Sequence, residues 1–194
     1  MIISSTRSFI AGRRPQGRVL AALLLSAFAV VVLAGSALAA SLVKNGSFEK
    51  DTNGDGIPNG WTGGSLTPAD KRVCNQSYAG ACSFKMVGDG DYKYLYQEIT
   101  ISGLALDEFT LSARVKGKDL DVGTGLARVR MAIHNTSGGY TNYEFALSEG
   151  TSPWNLYQVV GSASGDYDSI FIYLELIADS GKVWFDKVKL VAVP

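Results

Sequence analysis

The sequence predicts an all-β domain built as a two-sheet sandwich. Three observations lead there. From Ser41 onward no long apolar stripe repeats every 3.6 residues, whereas apolar and polar side chains alternate in run after run. The runs are separated by short segments rich in Gly, Ser, Asp and Asn, which suit tight strand connections. With no internal repeat and no second domain visible, a single core must serve about ten short strands.

Taken in order, the first expected strand is LVKNGSFE (42–49), followed by the turn-forming DTNGDGIPN and then by WTGGSL (61–66). SYAGA precedes CSFKMVG (82–88), and GDGD leads into YKYLYQEITI (92–101). After SGLALD comes EFTLSARVKG (108–117), where Phe109, Leu111, Ala113 and Val115 share one face. Thr110, Ser112, Arg114 and Lys116 share the other, the mixture that a solvated sheet ordinarily shows. KDLDVGTG leads to LARVRMAIHN (126–135), with Val129, Met131 and Ile133 inward, and TSGG to YTNYEFALS (140–148), with Tyr143, Phe145 and Leu147 inward. SEGTSP precedes WNLYQVVG (154–161), and SASGDYD precedes SIFIYLELI (169–177), whose Ile170, Ile172, Leu174 and Leu176 complete the predicted core. ADSG introduces the last strand, KVWFDKVKLVAV (182–193).

Four of these strands have unusual outward faces. Tyr94 and Tyr96, then Arg128, Arg130 and His134, then Tyr140, Asn142 and Glu144, and finally Phe171, Tyr173 and Glu175 offer rings and forked hydrogen-bonding groups to the outside. Rings beside paired donors and acceptors make this a face built to touch a partner. The competing reading is a solvated face in which Arg128 and Arg130 pair with Glu144 and Glu175 across strands. Trp61, Trp154 and Trp184 are read as core or rim.

The first 39 residues hold Arg7, Arg13, Arg14 and Arg18 and no acid, then a long apolar run ending in Ala37-Leu38-Ala39. This describes a secretory signal peptide over 1–39, cut between Ala39 and Ala40, and a single domain over 40–194. An uncleaved anchor is the competing reading. Arg13-Arg14 is followed by Pro15-Gln16-Gly17 rather than by apolar residues, which argues against a twin-arginine signal, and no Cys follows the cut to carry lipid. Export places the protein outside the cell or on its surface. Cleavage leaves 14 basic against 18 acidic residues, a balance of −4, which disfavours nucleic acid as a partner. In an exported chain the closely spaced Cys74 and Cys82 are expected to form a disulfide rather than a zinc site.

Between the first two expected strands, Asp51, Asn53 and Asp55 alternate and are followed by Gly56. That spacing can turn several oxygens toward one calcium ion, although the twelfth position is Thr62 and not the Glu of an EF-hand. The alternative is a turn in which the same side chains cap backbone amides.

The ordered pieces NGSFE, the Gly60-Trp61 pair, YAGACSFKM, YLYQEITI, FTLSARVKG, WNLYQVVG, SIFIYLEL and GKVWFDKVKLV resemble carbohydrate-binding modules of the CenC-like type, families four and nine, across Ser41 to Val193. The resemblance implies a β-jelly roll of the galactose-binding-like kind and non-catalytic binding of polysaccharide or oligosaccharide. It also implies that the strands near 92–100, 127–135, 140–147 and 169–177 form one concave sheet carrying sugar. A structural calcium is implied between the Glu of the NGxFE-like start and an Asp of the last strand, here Glu49 and Asp186. Asp186 is expected on an inward face with Trp184, Val188 and Leu190, where a lone carboxylate is costly and a cation would offset the cost.

Nucleophilic catalysis lacks its parts, since His134 is the only histidine and GSASG has Ala163 at its centre. A jelly-roll glycosidase using Glu144 and Glu175 remains an alternative, as does a surface-layer, matrix or adhesion protein whose tyrosine-rich face binds protein or its own copies.

Overall fold

The computed structural model describes residues 40–194, so the signal-peptide reading of 1–39 lies outside the described residues. Ten strands form: β1 (Thr62–Gly64), β2 (Lys71–Val73), β3 (Ser83–Val87), β4 (Lys93–Gly103), β5 (Glu108–Asp121), β6 (Leu126–Asn135), β7 (Tyr140–Ala146), β8 (Gly150–Ser162), β9 (Tyr167–Ile177) and β10 (Ser180–Val193). They make two five-stranded sheets, ordered β1-β4-β9-β6-β7 and β2-β3-β10-β5-β8. Every paired neighbour is antiparallel. No helix is long and apolar enough to cross a membrane among the described residues.

Alternation does what it is expected to do. Phe109, Leu111, Ala113 and Val115 from one sheet meet Val129, Met131, Ile133, Ile170, Ile172, Leu174 and Leu176 from the other, all buried in one continuous core. Tyr143 and Phe145 on the edge strand β7 are half-buried against that core, and Leu147 is buried. Phe48 joins the same core, its ring 5.4 Å from Trp61 and 6.1 Å from Phe84. Burying a side chain such as Phe48 contributes about 1.5–3 kcal/mol.

Two expected elements differ from the structure. The segment 42–49 is not a strand: Asn45 and Phe48 have φ of 50° and 57°, and Phe48 N–H donates to the Asn45 carbonyl in a turn. The segment still crosses β10, through Leu42 N–H to Leu190 O and Val188 N–H to Gly46 O. That crossing is tight, since a Cβ on Gly46 would run into the Val188 carbonyl. Conversely, Lys71–Val73 forms the edge strand β2, paired with β3, although its three residues carry too little alternation to mark it.

The last strand corrects a facing. Val183 and Phe185 point into the core, so Trp184 and Asp186 lie on the opposite side of the sheet rather than in the core, with Asp186 buried there beneath Tyr78 and Ala79. The pairing of β10 with β5 slips between Asp186 and Lys189, where Lys187 has φ of 50°, and beyond the slip Val188 and Leu190 are buried. One extra residue reverses the parity of everything after it.

Lys93 is fully buried. Its Nζ reaches Asp70 Oδ2 at 3.0 Å, Asp89 Oδ2 at 2.6 Å and the Val87 carbonyl at 3.0 Å. Asp70 also accepts from Thr67 and from Val87 N–H. This knot fastens the segments around β2 and β3 to β4 in the opposite sheet. Burial alone would raise the Asp70 pKa, but hydrogen bonds from Thr67, Val87 and Lys93 outweigh it and hold the carboxylate below its usual value.

Candidate functional site

The four strands singled out by their outward faces do form one sheet, in the order β4-β9-β6-β7. Their registers place the predicted residues in rows across it. Tyr94, Glu175 and Arg128 stand side by side; so do Tyr96, Tyr173, Arg130 and Glu144; then Glu98, Phe171, Ala132 and Asn142; then Thr100, Ser169, His134 and Tyr140. All eleven outward residues therefore lie on one face.

The rings touch in a continuous file. Centroid separations are 5.5 Å for Tyr92–Tyr94, 6.0 Å for Tyr94–Tyr96, 5.5 Å for Tyr96–Tyr173 and 6.2 Å for Phe171–Tyr173. Tyr140 continues it, 5.9 Å from Phe171 and 5.0 Å from the His134 ring. The Tyr94 ring occupies the space above Gly64 of β1 that a side chain would fill. Tyr140 is 53% exposed and Tyr92 41%, so the file opens to water at both ends. Beside Tyr140 a cleft of about 420 Å³ is lined by Glu98, Thr100, His134, Asp168, Ser169 and Phe171. His134 Nδ1 lies 2.7 Å from Asp168 Oδ1, and that hydrogen bond holds the exposed Asp168 carboxyl below its usual pKa.

Glu175 has a different place from its neighbours. It is 1% exposed and accepts from Arg128 Nε at 2.7 Å, Arg130 Nε at 2.9 Å, Arg130 Nη2 at 3.0 Å and the Tyr92 hydroxyl at 2.6 Å. Burial would raise its pKa, yet the hydrogen bonds from Arg130, Arg128 and Tyr92 bring it down to about 2. Both the cross-strand pairing and the aromatic face are thus present together. Arg128 also donates to Glu144 Oε2 at 2.8 Å, Arg130 to Asn142 Oδ1 at 3.0 Å, and the Arg130 guanidinium lies 4.3 Å from the Tyr173 ring centroid. Glu175 acts by fixing two guanidiniums. A carboxylate held near 2 is a poor proton donor, so Glu175 does not suit the acid role of a glycosidase pair.

Tyr92, Glu98, Thr100 and Ala132 were within reach of the same parity argument, because they share the outward phase of residues already chosen. Asp168 was not, since it sits in what reads as a turn before β9.

Glu49 and Asp186 meet the same loop, the one closed by the Cys74–Cys82 disulfide. Glu49 Oε1 accepts from Ala81 N–H at 3.0 Å and Cys82 N–H at 3.4 Å; Asp186 accepts from Tyr78, Ala79 and Lys187 N–H at 2.9, 3.1 and 2.7 Å. Asp186 is wholly buried, and burial raises its pKa despite these bonds. Asp51, Asn53 and Asp55 form a separate group. Asp51 accepts from Gly54 and Gly56 N–H, and Asp55 from Ile57 N–H and the Asn53 amide, the pattern of a capped turn. No group of three or more acidic, His or Cys side chains gathers around one point among the described residues. Of the tryptophans, Trp61 lies in the core; Trp154 and Trp184 lie on the outer side of the second sheet.

No family model and no curated protein matches the chain. Solved structures do share its fold. A domain of the bacteriophage CBA120 tailspike protein 4 superposes with TM-score 0.61 at 14% identity, over 79% of this chain and 21% of that one. A family 16 carbohydrate-binding module gives TM-score 0.59 at 20% identity, over 78% of this chain and 99% of the module. A family 61 module, TmCBM61, gives 0.56 at 14% identity, over 80% and 100%. The fold is the β-sandwich jelly roll of such modules.

Proposed function

We propose that the protein is a non-catalytic binder of polysaccharide or oligosaccharide that works outside the cell or on its surface, through the face made by β4, β9, β6 and β7. The observation that carries this reading is the file of touching rings bordered on the same face by Arg128, Arg130, Asn142, Glu144 and His134. Rings supply contact for sugar C–H surfaces, and the held guanidiniums and amide supply hydrogen bonds whose geometry is already set before a ligand arrives. Glu175 positions the arginines. Support also comes from what the neighbours are: one was solved with β-1,4-galactotriose, and another, from Paenibacillus barcinonensis, is a xylan-binding domain. The CenC-like resemblance belongs to the same proposal.

Retention in native gels containing soluble xylan, β-glucan or galactan tests it. Retardation by at least one polymer is expected, with loss in Tyr94→Ala and Tyr173→Ala. No retardation by any of them, together with sedimentation as a self-associated species, would favour an adhesive or matrix role instead.

A structural calcium is proposed at Glu49 and Asp186. Supporting it, neither carboxylate has a cationic side chain within ion-pair distance among the described residues, and Asp186 is buried at a cost that a cation would offset. The loop of Asp51, Asn53 and Asp55 is the alternative place for an ion, with its carboxylate oxygens each also accepting one hydrogen bond within the turn. A melting temperature unchanged by chelator and by added calcium would remove the ion from this reading.

A further inference from the structure

The outer side of the second sheet carries a group of cations that the aromatic face does not explain. Register places Lys71 of β2 opposite Lys85 of β3, Lys85 beside Trp184 of β10, and Trp184 beside Lys116 of β5. One step along, Lys182 stands opposite Lys118. Like charges directly opposite each other in a sheet are destabilising, and this surface holds two such pairs. Among the described residues none of the five lysines makes an ion pair; Lys116 donates only to the Gln76 side chain, 3.1 Å away, with its Nζ 5.9 Å from the Trp184 ring centroid. The concentration is notable in a domain whose balance over residues 40–194 is negative.

Lys71, Lys85 and Lys182 converge on a cleft of about 370 Å³, walled by Trp184 and bordered by the amides of Asn75 and Gln76. Burial lowers the Lys85 pKa, and the charges of Lys182 and Lys71 lower it further, with Asp70 opposing. An anion in the cleft would relieve this repulsion. We infer that the cleft binds the anionic groups of an acidic polysaccharide, at a site independent of the aromatic face. Three ammonium groups suit a carboxylate or a sulfate ester, while the amides and the indole wall suit the hydroxyls and C–H surface of the sugar that bears it. The cleft form and the acidic remainder of the domain fit a flexible charged glycan better than a duplex with its continuous phosphate rails or a flat anionic bilayer.

The test uses polygalacturonate for carboxylate, dextran sulfate for sulfate ester and dextran as the uncharged control, in titrations at increasing salt. Binding to one of the charged polymers is expected, weakening with salt and falling about tenfold or more in the Lys71→Gln/Lys85→Gln/Lys182→Gln variant. Whichever polymer binds identifies the anion. Tyr94→Ala/Tyr173→Ala is expected to leave this binding in place, so that failure here and failure of the aromatic face are read separately. The lysine variant should melt at the same temperature as the parent or higher, because its substitutions remove repulsion. Undiminished binding by that variant, no binding to either charged polymer, or tighter binding to duplex DNA or anionic vesicles would overturn the inference.

Discussion

Replacing Glu175 by Gln keeps the side chain's size and removes its charge, leaving Arg128 and Arg130 close together without the carboxylate that holds them. The fall in the Glu175 pKa from 4.5 to about 2 corresponds to roughly 3 kcal/mol of stability at neutral pH. Loss of one partner from a buried pair costs about 3–5 kcal/mol, which agrees in scale. Because the folded pKa is depressed, the contribution is complete above the unfolded value of 4.5 and disappears as pH falls toward about 2. Glu175→Gln is therefore expected to lower stability by about 3 kcal/mol at pH 7, or on the order of 6–12 °C in melting temperature for a domain of this size. Asp70, also depressed, loses stability in the same acid range, while Asp186, raised by burial, moves the other way. The difference between parent and variant isolates Glu175 from both. Urea denaturation at a series of pH values between 7 and 2 measures that difference, which should close toward zero at the acid end. A gap below about 1 kcal/mol at pH 7, or one that stays constant down to pH 2, would refute the reasoning.

Other consequences are equally direct. Lys93→Met strands Asp70 in the interior and should cost about 3–5 kcal/mol, whereas the joint replacement Lys93→Met/Asp70→Asn should cost less, a comparison open to a double-mutant cycle. Gly46→Ala drives a methyl into the Val188 carbonyl and should lose on the order of 1–3 kcal/mol, with faster hydrogen exchange at the Val188 amide. Reducing the Cys74–Cys82 bond frees the loop that donates to Glu49 and Asp186, for a loss of roughly 2–3 kcal/mol in equilibrium unfolding; no change on reduction would mean that the loop is held without it.

The central strands were legible because each is long, alternates strictly and buries one side. Val129, Met131 and Ile133 against Arg128, Arg130 and His134 leave only one register that puts the apolar set inside. The candidate site inherited that clarity, since its residues are the other phase of the same strands. The failures occur where pairing is irregular. Lys187 gives no sequence sign that it adopts a positive φ, so the reversed facing of Trp184 and Asp186 could not be counted out residue by residue. LVKNGSFE carries apolar residues at both ends, yet Phe48 reaches the core from a turn. The burial of Glu175 depends on two arginines from a strand more than forty positions earlier and on Tyr92, and no local pattern encodes that convergence.

Gly64 shows how a missing side chain can set a recognition surface. The Tyr94 ring rests in the space it leaves, and Tyr94 in turn leans on Tyr92, Tyr96 and Tyr173. A single methyl at this position would lift one ring and tilt the three that touch it, so the contour offered to a ligand is tuned from the sheet's edge by a residue that would never meet that ligand. Relatives carrying Ala or Ser there would keep every polar group of the face and still present a different relief.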